Sequence, residues 1–205
     1  MAHHHHPLPN ELNHTNFFDL LSQILLSLPF FIGIFLYVAA IIHSRKKSRE
    51  WPVYRTVCWM LGSLLAIVAV TGPLADKAML SFSLHMVVHL MLGMIAPLLM
   101  VVGAPVTLFL RALSVKNAKL LTKILRSTPV KVITDPFIAA LLNIGGLWIL
   151  YTTDLYHLMH EDILLHIIIH LHVFLAGYVY TLSIIYMEPL SHRTSYLYRS
   201  IIMIL

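Results

Sequence analysis

Five long apolar runs, separated by short polar or charged clusters, organise this chain. A bilayer core about 30 Å thick asks for about 20 consecutive apolar residues per helix. The first run extends from Leu20 to Ile42, between Asp19 and His43. The second covers Tyr54 to Thr71 and is closed by Gly72-Pro73. The third starts near Met79 and reaches Val101. The fourth covers Pro136 to Tyr151, entered through Asp135 as N-cap with Pro136 in the first helical position. The fifth covers Asp162 to Met187 and is closed by Glu188-Pro189. This pattern predicts an all-α, polytopic transmembrane helix bundle of about five spans.

The stretch from Met79 to Leu113 is too long for one span and too short for two. Pro97, Gly103 and Pro105 are expected to break it, leaving Ala104 to Leu113 as a short segment near the interface. The following stretch, Lys116 to Arg126, reads as a basic amphipathic segment on the membrane surface. A new apolar run, Ser200 to Leu205, reads as the beginning of a sixth span, so the sequence is expected to be a piece of a longer protein. The domain reading is therefore an extracytoplasmic tail over residues 1–16 and one transmembrane helical domain over 17–205. The His3–His6 run in the tail is either an expression tag or a native metal-collecting segment, and both readings stay open.

Composition supports the bilayer as solvent. The chain has 205 residues, 59% hydrophobic and only 11% charged, with a mean hydropathy of +0.81. A soluble domain of this length needs more polar surface to cover its core. The formal net charge of +5 raises the question of nucleic acid, but its distribution answers it. Of the 14 Lys and Arg residues, all but Lys77 fall on one side of a five-span arrangement. Such a bias is a topology signal, and it predicts that side to be cytoplasmic and the N-terminus outside. Glu11, Asp19, Asp76, Asp154, Glu161 and Asp162 fall on the opposite side. Membrane lipid, not nucleic acid, is the expected contact of the basic loops. The single cysteine, Cys58, excludes an internal disulfide and a cysteine-based metal cage.

Histidine is where the sequence carries chemistry. His85 and His89 stand at i,i+4 in the first half of the third span, on one helix face. His166 and His170 repeat that spacing in the first half of the fifth span. Both spans run from outside to inside in the predicted topology, so the pairs share one depth in the outer leaflet. His157 and His160 belong to the outer loop that feeds the fifth span, and His172 faces a different neighbour from His170. Ionisable residues inside a bilayer are costly, and function is their default reading. Neutral imidazole binds copper, zinc, iron and nickel, while thioethers such as Met79, Met86, Met91, Met94 and Met159 favour Cu(I). Interhelical hydrogen bonding without any ion is the plainer alternative for the histidines, and packing is the plainer one for the methionines. Gly93 and Gly177 would let the two histidine helices approach closely. Asn143 and the Gly145-Gly146 pair read as packing positions. Nothing in the spans resembles a phosphate loop, a nucleophile motif or paired acids, and no enzymatic activity is expected.

The string Ser83-Leu-His85-Met86-Val-Val-His89, followed by Ala96-Pro97 and Gly103-Ala-Pro105, resembles the CtaG family of cytochrome c oxidase assembly factors. The later His166-x3-His170 helix with Gly177, the exit Glu188-Pro189-Leu190 and Ser191-His192-Arg193 strengthen the likeness, which covers the chain from about Pro29 onward. The resemblance implies a multi-pass bacterial plasma-membrane protein with more spans than the five read here. It also implies assembly of a caa3-type oxidase, with oxidase subunits as partners and a role in copper delivery. On that reading His85, His89, His166 and His170 are the expected copper ligands, with His160 and Met86 in support. Two alternatives remain at this level: a b-type haem protein with bis-His ligation between two helices, and a metal-free membrane scaffold.

Overall fold

A computed structural model describes residues 9–46, 50–189 and 194–204. The elements in chain order are helices α1 (Pro9–Lys46), α2 (Val53–Val70), α3 (Gly72–Leu80) and α4 (Phe82–Leu90), then a π turn (Met91–Ile95) leading into α5 (Ala96–Val102). They continue as α6 (Pro105–Ala112), α7 (Val115–Leu125), α8 (Thr128–Ile133), α9 (Pro136–Thr152), α10 (Leu155–Glu161), α11 (Ile163–Ile185) and α12 (Tyr196–Ile204). The described residues contain no strand. The chain is an all-α polytopic bundle.

Four segments are long and apolar enough to cross a membrane: Leu20–Arg45, Val53–Val70, Phe82–Val102 and Ile163–Ile185. The fourth predicted span is α9, apolar but shorter at 17 residues. Its Leu141, Ile144 and Trp148 side chains are all exposed. Asp135 caps it as predicted, accepting hydrogen bonds from the backbone N–H groups of Phe137 and Ile138. The run read as the start of a sixth span is helical, within α12, and the Leu190 to Arg193 part of the exit motif lies outside the described residues. So does the His3–His6 run.

Three local readings change. The segment Gly72–Leu80 is a helix of its own, cut from α4 by Ser81 in an extended conformation. The outer loop before the fifth span is helical too, as α10. Most informative is Pro97, which does not break the third span. The π turn immediately before it widens the helix, and the chain passes through Pro97 into α5 without a gap. A π turn re-spaces the hydrogen bonds where a proline supplies no N–H. The actual break comes at Ala104, in the left-handed region with φ 50°, after which α6 leaves the axis of α5.

The core lies between α1, α2, the α4–α5 span and α11. Gly62 on α2 sits on the Ala96 carbonyl of α5, where a Cβ would approach that oxygen to 2.8 Å. At the basic end of the bundle Tyr37 stacks on Trp59 with centroids 4.9 Å apart. The Tyr37 hydroxyl donates to the Gly103 carbonyl at 2.8 Å and accepts from Trp51 Nε1 at 3.0 Å. Arg55 and Arg111 both lie over the Trp51 ring. The start of α2 and both ends of α6 are thereby tied together.

Candidate functional site

α4 and α11 enter the bundle at the same end, and each carries its histidines in its first turns. His85, His89 and His170 are buried, at 1%, 4% and 4% exposure. Below them the Gly93 carbonyl of the π turn meets Gly177 so closely that a Cβ on Gly177 would occupy its place. That contact brings the two histidine pairs against one another. Ring centroids are 4.3 Å apart for His85–His89, 5.1 Å for His89–His170, 5.8 Å for His85–His170 and 4.2 Å for His166–His170. The four predicted imidazoles therefore form one cluster.

Hydrogen bonding assigns part of the tautomer pattern. His170 Nδ1 lies 3.0 Å from the backbone carbonyl of His166. A carbonyl only accepts, so Nδ1 carries the proton and Nε2 keeps its lone pair. His89 Nδ1 lies 3.0 Å from the Tyr151 hydroxyl, while its Nε2 is buried with no hydrogen-bond partner among the described residues. A buried polar nitrogen left in that state calls for an explanation.

The cluster has two different walls. On one side Phe82, Tyr151 and Tyr156 pack edge-on and tilted against one another, and Tyr156 meets the His85 ring at 5.1 Å. On the other side a cavity of about 430 Å³ reaches His85, His166 and His170 and is lined also by Ser22, Gln23 and Asp76. Gln23 Nε2 donates to Asp76 Oδ1 at 2.8 Å, and Gln23 Oε1 accepts from the Gly72 N–H at 3.0 Å. This relay from the start of α3 orients the Asp76 carboxylate at the cavity wall.

The remaining sequence candidates fall elsewhere. Met86 is 42% exposed and stands outside the buried cluster. His157 is exposed and lies 3.6 Å from Glu161 on its own helix. His160 lies on α10, and its side chain is outside the described residues. His172 leaves the cluster, as its spacing from His170 predicts, and its ring packs against Gly146 of α9. Met159 is fully buried. Tyr151, Tyr156, Gln23 and Asp76 were not singled out from the sequence as site residues. Tyrosines near span ends read as interfacial anchors, and only the fold turns these two inward.

The His166 and His170 rings stack, His85 and His89 are tilted to one another, and His170 meets both of them edge-on. Among the described residues no group of three or more His, Cys, Asp or Glu donors is arranged as a finished metal cage. The arrangement offers imidazole nitrogen donors whose rings must turn to converge on an ion.

A far-end tie completes the geometry. Glu188, just past α11, is buried and accepts from the Val106 N–H at 2.8 Å, the Thr107 N–H at 2.9 Å and the Thr107 hydroxyl at 2.8 Å. It caps the first turn of α6, so the exit of one histidine helix is bolted to the continuation of the other.

Residues 35–205 match the sequence profile of the cytochrome c oxidase caa3 assembly factor family, Caa3_CtaG. The chain belongs to this family. The chain is 32% identical over 176 residues to the uncharacterized protein ML1998 of Mycobacterium leprae, covering 80% of this chain and 26% of that protein. It is 30% identical over 173 residues to the uncharacterized protein Mb0105 of Mycobacterium bovis, covering 78% of this chain and 25% of that one. This CtaG-family chain thus spans about a quarter of the length of the curated relatives it matches. No solved structure matches it. The match includes α4, the π turn, α5 and α11, so the whole histidine cluster lies within the family region.

Proposed function

We propose that this chain is a membrane-embedded component of cytochrome c oxidase assembly that holds copper transiently at His85, His89, His166 and His170. Copper is cargo on this reading, taken up at one face and passed to an oxidase subunit. The N-terminus and the histidine end lie outside the cytoplasm, because the basic residues gather at the opposite end. The observation that carries the reading is the convergence of four imidazoles from two helices in a buried cluster beside a cavity. Buried neutral imidazole suits Cu(I), and rings that must turn to bind suit an ion that must also leave. Asp76 gives the cavity a carboxylate to draw a cation in. Met86, exposed outside the cluster, would join only after a change of arrangement.

Bis-His haem ligation is the second reading, and it is less favoured because four clustered imidazoles are more than the two that one haem needs.

The test is metal analysis of protein prepared without His3–His6, loaded with Cu(I) against a competing chelator, alongside a visible spectrum. Stoichiometric copper, lost when His85, His89, His166 and His170 are all changed to alanine in a chain that keeps its helical content, is the expected result. Copper retained by that variant would overturn the site. A Soret band would move the protein to the haem class. No bound metal, together with normal oxidase assembly in the variant, would leave a scaffold.

A further inference from the structure

Another concave feature lies at the basic end, far from the histidines. Between α6 and α7 runs an open groove of about 1000 Å³, lined by Arg111, Lys119, Lys123 and Arg126 together with Leu110 and Leu113. No Asp or Glu occurs between Lys77 and Asp135, so this stretch contains no acid of its own to neutralise these cations. The ion pair found among the described residues, His157–Glu161, lies at the other end.

Helical spacing arranges the charge. Lys116, Lys119, Lys123 and Arg126 follow one another at three or four residues and form a stripe along one side of α7. Leu120 and Ile124 stand on another side, 59% and 53% exposed from the protein. No residue of α7 is buried in the bundle. A helix with this division lies along a membrane interface, its apolar side toward acyl chains and its cationic side toward headgroups. The groove repeats that order, apolar at Leu110 and Leu113 and cationic along α7. Its Arg111 is held in place over the Trp51 ring, with centroid distance 5.3 Å.

We infer that this groove is a binding site for an anionic phospholipid, with Lys119, Lys123, Arg126 and Arg111 holding the phosphate-bearing headgroup and Leu110 and Leu113 receiving the upper acyl chain. A phospholipid presents charge and hydrocarbon in the sequence the groove requires. An acidic soluble peptide would leave the apolar lining uncovered. The inference is independent of copper and of the histidine cluster.

The experiment is native mass spectrometry of the full chain in detergent, titrated with phosphatidylglycerol or phosphatidylcholine. Two variants carry the same change of charge: Lys119→Gln/Lys123→Gln/Arg126→Gln in the groove, and Arg45→Gln/Lys77→Gln/Lys131→Gln outside it. The wild type and the outside variant are expected to retain phosphatidylglycerol in preference to phosphatidylcholine. The groove variant is expected to lose that preference by about 10-fold or more. Unchanged retention in the groove variant, or equal loss in both variants, would overturn the site. Displacement of the lipid by an equal concentration of glycerol phosphate would also overturn it, by showing a site for free phosphate. Lys119 and Lys123 are on a helix with no buried residue and Arg126 is its exposed C-cap, so helical content is expected to stay constant across the set.

Discussion

Gly177 of α11 rests directly on the carbonyl oxygen of Gly93. In a regular α-helix that carbonyl would accept from the N–H of residue 97, which is a proline and has none. The π turn and the proline together thus direct the Gly93 carbonyl at the one residue type that leaves it room. This contact lies just below the histidines on both helices and sets how closely α4 and α11 approach.

Gly177→Ala is expected to push α11 away from the π turn. Overpacking against backbone cannot be relieved by a rotamer change, so the loss of stability is expected to be about 3 kcal/mol or more. Thermal unfolding of the detergent-solubilised chain checks this. An unchanged melting temperature would show that the two helices are not in this contact.

Tyr151→Phe removes the hydroxyl 3.0 Å from His89 Nδ1 and leaves the ring packing in place. The fold is expected to lose about 1 kcal/mol. Cu(I) affinity, on the reading proposed above, is expected to fall about 10-fold or more, because the partner of the second ring nitrogen sets imidazole orientation and tautomer. Competition with a chromophoric Cu(I) chelator measures it, and equal affinity in the two proteins would remove Tyr151 from the site.

Glu188 offers a test by pH. Burial pushes its carboxyl up from the ordinary range, opposed by the hydrogen bonds from Thr107 and the Val106 N–H and by the nearby Arg55 charge. A raised value means that the folded protein binds this proton more tightly than the unfolded chain. Its contribution is therefore fully present below the unfolded value and is lost as pH rises through the folded one. Glu188→Gln is expected to flatten that part of the stability profile. It should also weaken the cap by about 1–3 kcal/mol, since an amide has one acceptor oxygen where the carboxyl group has two. Denaturation midpoints of both proteins across the acidic to neutral range decide the point, and parallel profiles would exclude Glu188 as the titrating group.

Orientation is checked by single-cysteine labelling in a Cys58→Ala background. Asp154→Cys is expected to react with an impermeant thiol reagent added outside intact cells, and Lys119→Cys only after the membrane is opened. The reverse pattern would invert the proposed topology.

Much of this protein is readable along the chain because lipid imposes a local rule. A span must satisfy its own backbone and present apolar side chains throughout, so the apolar runs locate the helices that became α1, α2, α4–α5, α9 and α11. The i,i+4 spacings place His85 with His89 and His166 with His170 on single faces without reference to any other helix. The cap at Asp135 is equally local. What the tertiary structure decided are the relations that span long sequence separations. Tyr151 finds His89 across 62 positions, and Glu188 finds Thr107 across 81. Gln23 orients Asp76 across 53. The course of the chain through Pro97 also belongs to this group, because the proline alone signals a break, while the π turn that accommodates it packs against α11. Hydropathy and helical period identify a face. Which face meets which depends on side-chain shape and on where glycine removes a Cβ, and those are properties of the packed bundle.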